Sequence, residues 1–278
     1  MDKSPLRVVR GVEGLVRPPG WHGATEDNKY GVLFYGGWPR DSAPSAVRGL
    51  ATRQFNTMVT NVETILGQST AQEVRAGREW YPSGQDHSRR MGKLAGHRID
   101  SDATDVGAGV IAALSPSVEW DLNLINAHSM ATTGRTFEPY GKVQTDKASD
   151  ILRGANPEDT VITGGSEGPN PRNKSYHFYR NLKDPSDPAW VTIDRHAHDA
   201  TTGSVITGGE RGLSAPGRYD KFADIYRTAA ARQGMDLPST AQAQTWGTWK
   251  RIKGGQRPGF NFDQYLHDIG DYDRYYSL

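Results

Sequence analysis

The sequence predicts a predominantly α-helical chain, and three observations carry that prediction. Apolar residues recur at three- and four-residue spacing in several separate stretches. Runs that alternate apolar with polar residues are few. The helical stretches are separated by long polar connections, which the 32 glycines and 16 prolines supply. At 278 residues the chain has room for one large domain or two small ones around a buried core.

Composition narrows the chemistry. With no cysteine in the chain, disulfides, thiolate zinc sites and iron–sulfur clusters are excluded, and a reducing compartment fits. No apolar run approaches membrane-spanning length and no secretory apolar region opens the chain. The expectation is a cytoplasmic protein without a membrane partner, in the host cytoplasm if the source is viral. A net charge of +1 argues neither for nor against nucleic acid, because polyanion binding needs a local basic face. Such clusters occur at Arg7, Arg10 and Arg17; at Arg89, Arg90 and Lys93; at Arg172, Lys174, Arg180 and Lys183; and at Lys250, Arg251, Lys253 and Arg257. Each is equally a solvated surface balanced by nearby acids.

Residues 1–45 are rich in glycine and proline, show no sustained period and read as an extended N-terminal arm with one apolar patch, Val32 to Tyr35. From Ser45 a continuous apolar stripe, Val47 to Leu66, predicts a core helix. Thr70 followed by Glu73 is a capping-box start for a second helix, expected to break at Pro82, with a further helical run from Gln85 to Leu94. Thr104 is expected to cap an apolar helix, Val106 to Leu114. Ser115-Pro116-Ser117 breaks it, and helix resumes from Val118 to about Met130. That junction reads either as a functional surface turn or as an ordinary helix connection. Thr145 opens a short helix that Gly154 stops. Beyond a Gly-rich loop, Thr202 to Gly217, two amphipathic helices follow, the first striped by Tyr219, Phe222, Ile225 and Tyr226, the second starting at Pro238-Ser239. The Asp- and Tyr-rich tail, within an extension assigned to residues 254–278, reads as partly ordered.

Between these lies the stretch Pro157 to Asp199, which carries the chemistry. A short helix ends in a Gly-rich hairpin, and a second helix beginning near Pro171 carries Lys174. A buried step, Val191 to Ile193, then delivers Asp194. An amine and a carboxylate, each at the start of its own helix, form a candidate catalytic pair.

Three stretches together resemble the helix-hairpin-helix DNA glycosylase superfamily, closest to its endonuclease III-like members. GVIAALSPSVEWDLNLINA is similar to the family's apolar helix ending in a Leu-Ser-containing turn, with an Asn on the helix beyond. Gly164 to Lys174 sits where the family's phosphate-binding hairpin and catalytic lysine lie. VTIDRHA resembles the family's Val-Asp-Thr-His step, whose aspartate nearly all members share. The hairpin departs from the pattern: Gly165-Ser166-Glu167-Gly168 is followed by five residues before Lys174. The resemblance covers roughly Asp105 to Ala200. It implies an all-α, two-lobed helix-hairpin-helix fold with an interlobe cleft, spanning residues 46–253 between the arm and the tail.

The resemblance also implies roles. Ser115, Pro116, Ser117 and Val118 would enter the duplex, and Gly165, Gly168, Arg172 and Asn173 would hold the backbone. Asp194 would stabilise positive charge developing at the sugar C1′ when an N-glycosidic bond breaks, although it also reads as a plain helix cap. Lys174 would attack C1′ as a neutral amine, or serve as a phosphate-binding or surface lysine. His196 would buttress Asp194. His196 and His198 point to different helix faces, so no metal and no cofactor is expected. Tyr176 and Tyr179 line a base pocket or face the core.

The expected partner is double-stranded DNA, with modified bases included, bound by a monomer. The expected activity is base flipping and N-glycosidic cleavage. Two alternatives stand beside it. One is a transferase or lyase of the same fold acting on a hypermodified pyrimidine, as in the phage-encoded proteins of thymine hypermodification pathways. The other is a DNA-binding protein without catalysis.

Overall fold

The computed structural model of the chain describes residues 7–11, 13–19, 42–162, 174–207, 211–213, 217–254 and 259–278. Among these it is all-α apart from one pair of short antiparallel strands. In chain order the elements are β1 (Arg7–Gly11), α1 (Ser45–Gly67), α2 (Ala71–Leu94), α3 (Asp100–Ala113), α4 (Trp120–Thr133), α5 (Lys142–Leu152) and α6 (Pro157–Ile162). There follow α7 (Lys174–Lys183), α8 (Arg195–Thr202), β2 (Ser204–Thr207), α9 (Arg218–Arg232), α10 (Pro238–Lys253), α11 (Phe262–Asp268) and α12 (Tyr272–Ser277). No described helix is long and apolar enough to cross a membrane.

The chain divides into two compact units. The first comprises Met1–Glu79 and Pro188–Gln256, the second Trp80–Asp187 and Arg257–Leu278, so the division falls within α2.

In the first unit α1, α8, α9 and α10 pack on one another. The stripe that predicted α1 delivers Met58, Val59 and Val62, all fully buried, into a cluster with Val191, Ile193, Phe222, Ile225 and Tyr226. Each such side chain contributes about 1.5–3 kcal/mol relative to exposure. Val47, Leu50 and Phe55 of the same stripe are only half-buried. The capping box closes as its spacing requires: the Thr70 amide donates to Glu73 Oε2 at 2.8 Å and the Glu73 amide to Thr70 Oγ1 at 3.2 Å. Buried Asn61 ties three segments together. It donates to the carbonyls of Val16 and Thr201, both at 2.8 Å, and accepts from the Val16 amide at 2.9 Å. β1 pairs with β2, so the N-terminal region contributes hydrogen bonds to the unit.

In the second unit α3 is the central helix, packing against α4, α5, α6 and α7. It can be central because it is small and apolar: Ala103, Ala108, Ile111 and Ala112 are wholly buried. Two glycines let α2 approach it. A Cβ on Gly107 would lie 1.8 Å from the Ser88 carbonyl oxygen, and one on Gly92 would lie 2.0 Å from that of Ala103. In both cases the obstacle is backbone, which cannot swing aside. Gly107→Ala is therefore expected to destabilise the fold by about 3 kcal/mol or more, and Gly92→Ala by a similar amount. Urea titration measures both. The exposed Gly67, whose Cβ would meet nothing within 4 Å, gives the comparison: Gly67→Ala should not destabilise.

Several boundaries differ from expectation. α2 runs unbroken through Pro82, because the ring sits on an exposed face, where the Arg78 carbonyl left without its helical partner can be hydrated. α3 begins at Asp100 with Ile99 at its cap. Thr104 is interior and donates its hydroxyl back to the Asp100 carbonyl at 2.7 Å. α5 begins at Lys142 rather than after Thr145. The Asp- and Tyr-rich tail forms α11 and α12, burying Phe262, Leu266 and Tyr275, with Phe262 and Tyr275 packed against His87 and His128. The Val32–Tyr35 patch lies outside the described residues.

Candidate active site

In the first unit, the site is built around Asp194. The segment Val191–Ile193 is buried, with apolar residues at both ends around Thr192, so its backbone polar groups need partners other than water. Tyr219 of α9 supplies them: its hydroxyl accepts from the Ile193 amide at 2.7 Å and donates to the Val191 carbonyl at 3.2 Å. Two helical turns farther on, on the same face, the Tyr226 hydroxyl donates to the Ala197 carbonyl at 3.1 Å. Both the step and α8 are thereby pinned to α9. Asp194 follows in extended conformation as the N-cap of α8, its Oδ1 accepting from the Ala197 amide at 2.7 Å. The carboxylate is half-buried, so one oxygen is committed to the cap within a site that solvent still reaches.

His196 is half-buried beside it, and its Nδ1 faces Lys253 Nζ at 3.2 Å. With the ammonium donating, Nδ1 is the acceptor and the ring is neutral with its proton on Nε2. Burial pushes the imidazole below its usual range; the Asp194 carboxylate opposes this, while Lys253 and Arg195 reinforce it. Deeper in the unit, Asp199 bonds Arg211 at 2.9 and 3.1 Å and His198 at 3.1 Å. Burial would raise its carboxyl, but these cationic and hydrogen-bonding partners hold it below the ordinary value. His198 is fully buried at this position, which pushes it down to about 4.

Lys174 belongs to the second unit, as the first residue of α7. Its ammonium donates to Ser115 Oγ at 2.8 Å and approaches the Ser115 carbonyl at 3.4 Å, lying 4.8 Å from the Phe178 ring centre. Two residues 59 apart in sequence thus meet. Ser115 itself is buried and donates to the Ala112 carbonyl at 2.9 Å. The Pro116 carbonyl accepts from the Tyr140 hydroxyl. Ser117 is exposed at φ 65°, the one non-glycine position with positive φ among the described residues. A serine held in this left-handed region costs about 1–2 kcal/mol. Val118 is half-buried. Trp120 packs against Trp80 at 5.3 Å and Phe178 at 6.2 Å.

Of the residues singled out in the sequence, Lys174 and Ser115 are brought together in the second unit, with Pro116, Ser117 and Val118 continuing the turn. Asp194 and His196 share the first. Gly165, Gly168, Arg172 and Asn173 lie outside the described residues. Tyr176 and Tyr179 face the interior, their hydroxyls donating to Glu158 at 2.6 Å and to Asp105 respectively. Among the described residues no group of three metal-binding side chains converges.

Sequence reasoning missed Tyr219 and Lys253. Tyr219 was visible only as one member of an apolar stripe. Nothing in one dimension marks its hydroxyl as the partner of residues 26 and 28 positions away. Tyr219→Phe leaves the Ile193 amide without this acceptor and is expected to cost about 1–3 kcal/mol, read as a lowered thermal midpoint. Any excision activity should fall with it, because the step that delivers Asp194 loosens.

Residues 45–253 match a protein family described as a family of unknown function, DUF7178. No curated protein and no solved structure matches the chain.

Proposed function

The chain belongs to DUF7178, a family whose description assigns no activity, and we propose from its site alone that it is a DNA base-excising enzyme of helix-hairpin-helix glycosylase type. The observation that carries the reading is the meeting of Lys174 with Ser115. Two of the three stretches that resemble the glycosylase superfamily are far apart in sequence and come into contact through the residues the resemblance names. The third stretch presents Asp194 at the cap of α8, with one oxygen in the cap and a half-buried carboxylate beside it.

In this reading a modified or damaged base is flipped out of double-stranded DNA, and the Pro116-Ser117-Val118 part of the turn fills the gap while buried Ser115 holds the base of the turn. Asp194 stabilises positive charge at C1′ and the ring oxygen as the glycosidic bond lengthens. His196, neutral against Lys253, can donate from Nε2. Lys174, bonded to Ser115, fixes the turn, and water is the nucleophile. The products are free base and an abasic site.

The test is to incubate the protein with duplexes bearing assorted lesions and phage-type modified pyrimidines, then to measure free base and abasic sites. Release of base with no borohydride-trapped complex supports hydrolysis; a trapped complex lost in Lys174→Ala returns the nucleophile to Lys174. Bases altered on the side chain but still attached would point to the transferase or lyase alternative. Unaltered DNA with every substrate would sink the enzymatic reading.

A further inference from the structure

The basic cluster at the end of α10 divides in the structure. Arg251 is engaged: it reaches Glu73 at 2.7 and 3.0 Å and the Gln68 carbonyl at 2.8 Å. Lys250 and Lys253 lie elsewhere on the helix, and Arg257 lies outside the described residues. Trp246, Lys250 and Lys253 are spaced by four and three residues and so occupy one stripe. Lys250 Nζ sits 4.2 Å from the Trp246 ring centre, and Lys253 Nζ reaches His196 on α8. Exposed Arg195 adds a further cation at the start of α8.

A helix C-terminus accounts for cations in its last turn, but it does not account for Arg195 on another helix. Burial, Arg195 and Lys250 all push the Lys253 amine below its usual range, outweighing Asp199 and Asp194. Asp199 is already held by Arg211 and His198, and Asp194 is committed in part to its cap. Among the described residues, positive charge here thus exceeds what the neighbouring carboxylates compensate, and an external anion would relieve the repulsion. The stripe from residue 246 to 253 runs about 10 Å along the helix, longer than a single phosphate needs. An aromatic ring interleaved with cations fits a chain of phosphates carrying bases.

We propose that Trp246, Lys250 and Lys253 of α10, with Arg195 of α8, form a track for the phosphodiester backbone of DNA leading to Asp194. The proposal rests on the reading of Asp194 given above. It adds the surface that brings the strand there, which the sequence registered only as one basic cluster among four.

The experiment measures binding of the full chain to an unmodified 20-base-pair duplex at increasing salt. Each lost phosphate contact lowers the slope of log affinity against log salt by about 0.9. Lys250→Gln/Lys253→Gln should therefore lower it by about 2, while Lys250→Arg/Lys253→Arg keeps it. Trp246→Ala, measured on a 20-base single strand whose bases are free to stack, should weaken binding about tenfold at constant slope. Lys142→Gln, on an exposed lysine paired with Asp146, controls for lost charge alone. An unchanged slope in the double Gln variant overturns the proposal, as does the absence of any binding by the wild-type chain. Because no base need be released, the outcomes separate. Base excision with an unchanged slope removes the track and leaves the enzyme, whereas a lowered slope with no excision of any base keeps the track and removes the enzyme.

Discussion

Asp194→Asn is expected to lower base excision by about 10²–10³-fold while leaving the thermal midpoint unchanged. The two halves follow from the two oxygens of one carboxylate. Oδ1 accepts from the Ala197 amide and caps α8, and Asn caps as well as Asp, so the helix start survives the substitution. The charge does not. Removing a preorganised group aimed at charge developing in the transition state costs about 2.7–4 kcal/mol of barrier, which is the loss in rate stated. Asp194→Ala separates the contributions, since it should lose the rate and, in addition, about 1 kcal/mol of stability with the cap. Full excision by the Asn variant would leave Asp194 a cap and nothing more. A midpoint that fell with Asn would mean that the charge, rather than the hydrogen bond, holds the α8 start, and the loss of rate would no longer speak to chemistry.

What could be read in advance was what is local or periodic. The stripe from Ser45 predicted α1, because a helix repeats its buried face every three or four residues. Thr70 and Glu73 predicted their reciprocal bonds because the partners lie within one turn. Pro82 misled for an instructive reason. The rule against proline in a helix concerns an unpaired carbonyl, and whether water reaches that carbonyl is a property of the packed surface. The tail misled similarly: its alternating Asp and Tyr read as partly ordered, yet Asp271 bonds buried His128 at 2.8 Å and Asp121 accepts from the Phe262 amide at 3.1 Å. These partners lie 141 and 143 residues away. The site divides along the same line. Asp194 could be seen as a cap because capping is local, and Lys174 because it opens a helix after a hairpin-like stretch. The groups that condition them, Ser115 for Lys174, Lys253 for His196 and Tyr219 for the step before Asp194, are supplied by distant elements and carry no mark of it in one dimension.

Acid should weaken both units of the protein between about pH 6.5 and pH 4. His87 in the second unit is pushed down to about 4, mostly by burial and further by Arg90. His198 in the first is pushed to about the same value, mostly by burial despite the opposing Asp199. Both rings are neutral in the fold, and in the unfolded chain both titrate near 6.5. Between these values the unfolded state binds more protons than the native one, so unfolding becomes easier as pH falls. At about 1.4 kcal/mol per pH unit, each ring accounts for a loss of about 3 kcal/mol by pH 4. His128 and His196, which burial also depresses, act in the same sense. Asp199 does not contribute in this window. Its folded value lies below the ordinary carboxyl one, so its stabilisation is lost only at lower pH. Urea midpoints taken from pH 7.5 to 4.5 should fall steadily below pH 6.5. His87→Gln should flatten the part of the curve that belongs to the second unit, provided the amide replaces the bond to the Tyr275 hydroxyl, which lies 2.8 Å from the ring. A midpoint level across the range, or one that rose toward acid, would show that the rings take up protons within the fold. Burial would then not govern their charge, and the neutral His196 on which the proposed proton donation beside Asp194 depends would lose its basis as well.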